Sequence, residues 1–287
     1  MKKWIRWTLN ILLVLVLLFG LAQFLLSERE SYLSRHNNDV AMQIAKGETE
    51  PPETLPEETD PPVETTVPPE ITDPTIPEET VPIPDDPCVQ ELLTLDLDAL
   101  RQENEDVIGW ICIPDTNISY PLLQWTDNEF YLTHSWQQTP NRAGSIFMEW
   151  QNIPDFTDFN TIIYGHRMRE QEMFGMLHQF RKKDFLESHP SVYILADDGV
   201  RRYDVFAVQR VNLDSPVYGL GLDTDRRKEE LIRYSLDYSA IETGIVPTID
   251  DQLLTLSTCS GVNFTTRWVV QCVLNREGSY LPPQSTE

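Results

Sequence analysis

LLTLSTCSGVNFTTRWVVQCVL, residues 253–274, consists of two apolar runs joined by a short polar connection. Runs of this length, rich in β-branched and aromatic residues and separated by Ser, Gly, Asn and Thr, read as two strands and a return. Cys259 closes the first strand and Arg267 opens the second. The thiolate is the reactive form of cysteine, and a neighbouring cation favours it. The pair is therefore a candidate nucleophile with a charge stabiliser. The plainer alternative is that Cys259 is small apolar filler, as most free cysteines are. Only the rest of the chain can separate the two.

The chain has 287 residues and a formal net charge of -24. That acidity argues against a nucleic-acid binder, which needs a basic face. It is unevenly spread: residues 47–87 hold 13 Asp and Glu and no Lys or Arg. The same 41 residues contain 12 prolines and no aromatic residue, so they cannot bury enough surface to fold. Like charges and polyproline stiffness predict an extended stalk of up to about 3.1 Å per residue. Four cysteines in a chain this long do not make a disulfide scaffold.

At the amino end, the basic residues Lys2, Lys3 and Arg6 precede an apolar run over 7–26, broken only by Thr8, Asn10, Gly20 and Gln23. About 20 residues at about 1.5 Å each cross a hydrocarbon core of about 30 Å. Basic residues before the run, with Glu28 and Glu30 after it, predict a cytoplasmic amino terminus and an extracellular bulk. A cleaved signal peptide would have a shorter apolar region and a small-x-small site, which Leu21-Ala22-Gln23 matches poorly. The expected organisation is a basic end at 1–6, a membrane anchor at 7–26 and a polar segment at 27–46. The stalk at 47–87 and a folded domain at 88–287 follow.

Within that domain, helical spacing marks 92–105, 173–180 and 223–239, and β-rich runs mark 107–113, 118–124, 143–150 and 159–164. Strands over 191–196 and 202–208 flank Asp197-Asp198-Gly199, a hairpin signature. Many short strands without βαβ alternation predict a mostly antiparallel barrel with helical insertions. A thiol nucleophile needs a base, most often histidine. His36 lies beside the anchor, and His134, His178 and His189 sit in settings that suit local bonding. His166 follows the apolar run 161–164 and a glycine, at a strand end like Cys259. Rigid strand ends present side chains to clefts.

Thr255-Leu256-Ser257-Thr258-Cys259, followed by an arginine at the start of the next strand, resembles the sortase signature, and Tyr164-Gly165-His166 resembles the histidine motif of that family. Four further runs resemble the class B branch: Val107-Ile108-Gly109-Trp110-Ile111; Asp127-Asn128 with Tyr131-Leu132; Ala143-Gly144-Ser145-Ile146-Phe147; and Met173-Phe174-Gly175. The long insertion holding the 223–239 helix is similar too, and the similarity is collinear over most of 107–274.

The resemblance implies an eight-stranded sortase barrel and a membrane-tethered cysteine transpeptidase of a Gram-positive-type envelope. It implies that Cys259 attacks the carbonyl of a threonine in a sorting signal, of Asn-Pro-x-Thr type, near the carboxyl end of a secreted protein. His166 would pass the proton and Arg267 would hold the carbonyl oxygen. The acceptor would be an amine of peptidoglycan or a lysine of another protein. Asn128, Leu132 and Ser257 would line the peptide groove, although simple core packing also accounts for Leu132. Ser260-Gly261 departs from class members that carry an acidic residue or tyrosine there, which bears on the oxyanion pocket. No carboxylates are arranged to hold calcium, and no cofactor is expected.

Two rival readings remain open on the sequence. One is an L,D-transpeptidase-like cysteine acyltransferase, although such enzymes carry Gly before the cysteine and Arg two after it, where this chain has Thr258 and Gly261. The other is a non-catalytic stalked binding module. Cys112 and Cys272 read as buried strand filler, and a disulfide between them is not readable from sequence. Cys88 adjoins the stalk and is expected to be exposed.

Overall fold

A computed structural model describes residues 2–48, 82–168, 171–259 and 265–281. Eight strands close a barrel: β1 Val107–Cys112, β2 Ser119–Leu123, β3 Ile146–Met148, β4 Asn160–His166, β5 Ser191–Ala196, β6 Gly199–Asn212, β7 Leu253–Cys259 and β8 Thr266–Tyr280. Their order around the barrel is β1-β2-β3-β4-β7-β8-β6-β5. The β2·β3 and β4·β7 ladders are parallel and the others antiparallel. The mostly antiparallel closed barrel expected from the sequence is thus present. Ala196 pairs with Gly199 across Asp197-Asp198, and Gly199 takes φ 123°, which a side chain would resist.

Among the described residues, five α-helices accompany the barrel: α1 Lys2–Ala45, α2 Pro87–Leu92, α3 Leu97–Glu103, α4 Lys183–Ser188 and α5 Asp225–Asp237. Two helical expectations need correction. The stretch 92–105 is not one helix: Asp96 interrupts it and caps α3 by accepting from Ala99 N at 2.9 Å. The stretch 173–180 has only a short 3-10 turn, Leu177–Arg181. Tertiary bonds draw its start away from helix, because Met173 N donates to Tyr120 Oη (3.0 Å) and Phe174 N to the His166 carbonyl (2.9 Å).

A chain of buried polar side chains crosses four adjacent strands. Thr255 Oγ1 donates to Asn160 Oδ1 (2.7 Å), Gln271 Nε2 to Thr255 Oγ1 (3.4 Å), and Gln209 Nε2 to Gln271 Oε1 (2.6 Å). Asn160 Nδ2 donates to the carbonyls of Val217 (3.0 Å) and Gly219 (3.1 Å), which tethers the insertion after β6. All four side chains are buried. Each is an apolar-core position filled by an amide or hydroxyl, and the bonds between them form only when β4, β7, β8 and β6 keep this register; at the far end Gln209 Oε1 has no hydrogen-bond partner among the described residues. A slip of one residue would leave these groups unpaired, at about 1–3 kcal/mol each, and turn every side chain to the other face.

The carboxyl half of α1 belongs to the same folded body as the barrel. Ala41 and Ala45 are buried with Val89, Leu92, Leu97, Leu100, Trp110 and Trp136 in one apolar cluster. Trp136 Nε1 donates to Asn37 O (2.8 Å), Asp96 N to Ala45 O (2.8 Å), and Arg35 pairs with Glu172 at 3.0 Å. The polar segment 27–46 is therefore more than an extension of an anchor, and the body starts well before Cys88. Asp86 also belongs to it: its two carboxylate oxygens accept from Cys88 N (2.9 Å) and Tyr193 Oη (2.6 Å).

Most of the expected stalk, residues 49–81, lies outside the described residues. In the apolar run 7–26, the side chains described are those of Trp7 and residues 12–25, and the large apolar ones among them are more than half exposed. No helix among the described residues is long and apolar enough to cross a membrane, so the described structure does not support the expected anchor.

The polar chain yields a stability test. Thr255→Val removes one hydroxyl and leaves buried amide groups of Asn160 and Gln271 short of a partner. Unfolding by denaturant should show a loss of about 1–3 kcal/mol at nearly constant m-value. A neutral substitution would mean that the chain does not hold the register.

Candidate active site

Parallel pairing of β4 with β7 sets His166 directly beside Cys259 at the carboxyl ends of both strands. Antiparallel pairing of β7 with β8 sets Ser257 opposite Val269. Cys259 lies two residues beyond Ser257 on β7 and Arg267 two residues before Val269 on β8, at the same end of the two strands. Between them, Thr258 Oγ1 accepts from Trp268 N at 3.1 Å. Three adjacent strands thus bring His166, Cys259 and Arg267 to one edge, or rung, of the barrel, where the charge of Arg267 acts on His166.

The imidazole of His166 is half-buried, and its Nε2 lies 2.8 Å from the Leu132 carbonyl. A carbonyl only accepts, so Nε2 carries the hydrogen and Nδ1 is left as the basic nitrogen. Gly144 makes this arrangement fit. It takes φ 62°, and a Cβ there would come within 2.5 Å of Tyr131 O, 2.9 Å of Leu132 O and 3.0 Å of His166 Cδ2. Burial disfavours the imidazolium, the Leu132 bond partly offsets this, and the positive charge of Arg267 opposes it again. The net result is a pKa below the ordinary histidine value.

The other histidines bond or stack locally, as expected. His134 meets the Phe130 carbonyl at 2.9 Å, His178 that of Gly175 at 2.9 Å and His189 that of Phe185 at 2.8 Å. His36 stacks on Tyr32, one helical turn away.

Around the rung, the expected groove residues take specific places. Both ends of the Asn128 amide are engaged: Nδ2 donates to Glu149 Oε2 (2.7 Å), and Oδ1 accepts from Trp150 N (3.0 Å). Tyr164 Oη donates to the same Glu149 oxygen at 2.8 Å, so the buried Glu149 joins Asn128 to β4 two residues before His166. Leu132 is half-buried and packs against the apolar cluster, while its carbonyl holds His166. Ser257 is buried, and its Oγ lies 2.8 Å from Tyr218 Oη. Ser260 and Gly261 lie outside the described residues.

Sequence reasoning passed over Glu149, Tyr218 and the special place of Gly144. A carboxylate inside the apolar run 143–150 was a readable signal for Glu149. Tyr218 gave none, because only the folded insertion brings it onto Ser257.

The comparisons with known proteins agree with this geometry. The sortase-domain family model matches residues 111–275, more than half of the chain. The chain belongs to the sortase family. Sortase B of Listeria monocytogenes is 36% identical over 166 residues, covering 57% of this chain and 67% of that protein. Sortase B of Staphylococcus aureus is 29% identical over 170 residues, covering 59% and 70%. A Staphylococcus aureus sortase B–substrate complex superposes with a TM-score of 0.61 at 28% identity, over 62% of this chain and 84% of that one. This sortase is of class B and a cysteine transpeptidase, which removes the L,D-transpeptidase-like and non-catalytic readings.

The electrostatics of this sortase can be tested directly. A cation beside an imidazole opposes its protonation, so Arg267→Gln should raise the His166 pKa. Titration of the ring protons by NMR reads this. An unchanged or lower value would mean that Arg267 does not act on the ring.

Proposed function

We propose that this sortase cleaves a carboxyl-terminal sorting signal after a threonine and transfers the new acyl end to an amine. The observation that carries the reading is the shared rung of His166, Cys259 and Arg267. In it, the Cys259 thiol passes its proton to Nδ1 of His166, and the thiolate attacks the threonine carbonyl carbon. The oxygen gains charge and accepts from the Arg267 guanidinium, an interaction worth several kcal/mol, roughly, in a water-poor site. The C–N bond then breaks, Nδ1 of His166 gives its proton to the departing amine, and a thioester remains on Cys259. The acceptor amine attacks the thioester and loses a proton to Nδ1, and the thiolate leaves as the new amide forms.

The substrate class is a secreted protein with an Asn-Pro-x-Thr-like signal, and the acceptor is a peptidoglycan amine or a protein lysine. The class B relationship favours both, and the substrate complex of the Staphylococcus aureus relative supports a bound substrate in general. The Glu149-held Asn128 amide, the Leu132 side chain and Ser257 are read as the groove around the peptide. Ser257 would reach the peptide only after Tyr218 swings off it, because it is buried in this structure.

In the same reading, residues 7–26 anchor the enzyme in the cell membrane, with the amino terminus inside and the barrel outside. Lys2, Lys3 and Arg6 before the apolar run and Glu28 and Glu30 after it support that direction. The exposed apolar side chains over 12–25 are a surface that water does not tolerate well.

For the chemistry, Cys259→Ala should reduce cleavage of a threonine-containing sorting peptide by more than about 10³-fold. Arg267→Lys should lower it by about 10²–10³-fold, because lysine lacks the planar fork. Near-normal turnover in Arg267→Lys would remove the oxyanion role. For the anchor, the full chain should stay with membranes through an alkaline carbonate wash, and a chain lacking residues 1–26 should not. Release of the full chain by carbonate would overturn the anchor.

A further inference from the structure

Beyond the rung that holds Cys259, the other cysteines divide into two kinds. Cys272 is buried in the barrel core, and desolvation pushes its thiol well above the ordinary cysteine range. Cys88 and Cys112 instead face each other, Sγ to Sγ at 3.8 Å, across 24 residues of chain. Cys88 is the second residue of α2, and Cys112 is the last residue of β1. Both are half-buried. The pairing of Cys112 with Cys272 that the sequence left open is not the one the fold brings together.

The approach of the two sulfurs is held from both sides. Asp86 caps α2 and binds Tyr193 of β5, whose backbone pairs with Cys112. Val89 and Leu92 bury α2 in the cluster that also contains Trp110 of β1. A disulfide needs its sulfurs at about 2.0 Å, a closure of under about 2 Å that side-chain rotation supplies.

We propose that Cys88 and Cys112 are a thiol-oxidation site that closes as a disulfide and ties α2 to β1, independently of Cys259. The tie falls where the chain re-enters the body after the acidic tract. The co-reactant is an organic disulfide. One of the two thiols loses its proton, and its thiolate attacks one sulfur of the organic disulfide and expels a thiolate. The facing thiol, 3.8 Å away, then loses its proton and attacks that protein sulfur, expelling the second thiolate. Two protein thiols are oxidised by two electrons, and one organic disulfide is reduced to two thiols. The site stands on the Cys88–Cys112 geometry and not on the transpeptidase reading.

The test uses the full chain in detergent, equilibrated with oxidised glutathione, alkylated, digested and mapped by mass spectrometry. A Cys88–Cys112 linked peptide is expected, with Cys272 alkylated only after unfolding. The melting temperature should rise by roughly 5–15 °C on oxidation and return to its starting value with reductant. Cys112→Ala should abolish the rise. Recovery of Cys88 and Cys112 unlinked, as separate mixed disulfides, or linked only between chains would overturn the proposal, whatever the behaviour of the variant.

Discussion

Register between β4, β7 and β8 is the constraint on which the rest of the structure depends. His166 lies 93 positions before Cys259 and Arg267 eight after it, so no local motif can hold all three together. Parallel pairing of β4 with β7 is the less common arrangement for neighbouring strands in a mostly antiparallel barrel, and it lets both strands end at the same edge. The polar chain Asn160–Thr255–Gln271–Gln209 lies several residues below that edge, and its three links form in this register. A buried amide that must find its partner specifies register more sharply than apolar packing, which tolerates a slide. The edge that carries His166, Cys259 and Arg267 is thus aligned by side chains buried below it.

Charge at the rung pulls in two directions. The Arg267 guanidinium lowers the affinity of His166 for a proton, yet the proposed mechanism asks His166 to deliver one. A thiolate on Cys259 would reverse part of that effect, because a negative neighbour favours the imidazolium. The Leu132 carbonyl works in the same direction by accepting from Nε2, and it fixes which nitrogen is free. On the proposed mechanism, the thiolate–imidazolium form would therefore be favoured only as the nucleophile ionises, and Arg267 would serve the charge that develops on the substrate.

The strands were largely legible in the sequence, and so was the barrel class. The pairs Val107–Cys112 and Ser191–Ala196 follow directly from apolar runs bounded by turn residues. The helix expected over 173–180 was not legible, because Tyr120 and the His166 carbonyl take its first amide hydrogens, and those partners are distant in sequence. Cys259, His166 and Arg267 stood out by residue type at strand ends. Glu149 and Tyr218 act through contacts that exist only in the fold: Glu149 joins two elements, and Tyr218 covers Ser257 from the insertion. Periodicity reports burial along one element, so it cannot report such crossings.

The acidic, proline-rich tract is where composition and fold point to different roles. Composition alone suggests a spacer, which separates two bodies only if its ends lie on different ones. Here the chain leaves the folded body near Ala45, whose carbonyl bonds Asp96, and is back on it at Asp86, which bonds Tyr193. Lys46, just past α1, also pairs with Glu91 of α2 at 3.2 Å. The described residues that flank the tract therefore bond one and the same body, so the distance of the barrel from an anchor before residue 27 is not spanned by the tract. On the anchored reading, that distance is set by the helical residues between Leu26 and Arg35, the first residue seen to bond the body. At about 1.5 Å each they place the barrel roughly 13 Å from the end of the apolar run. The enzyme would then work close to the membrane surface, within reach of a sorting signal whose protein is still held there.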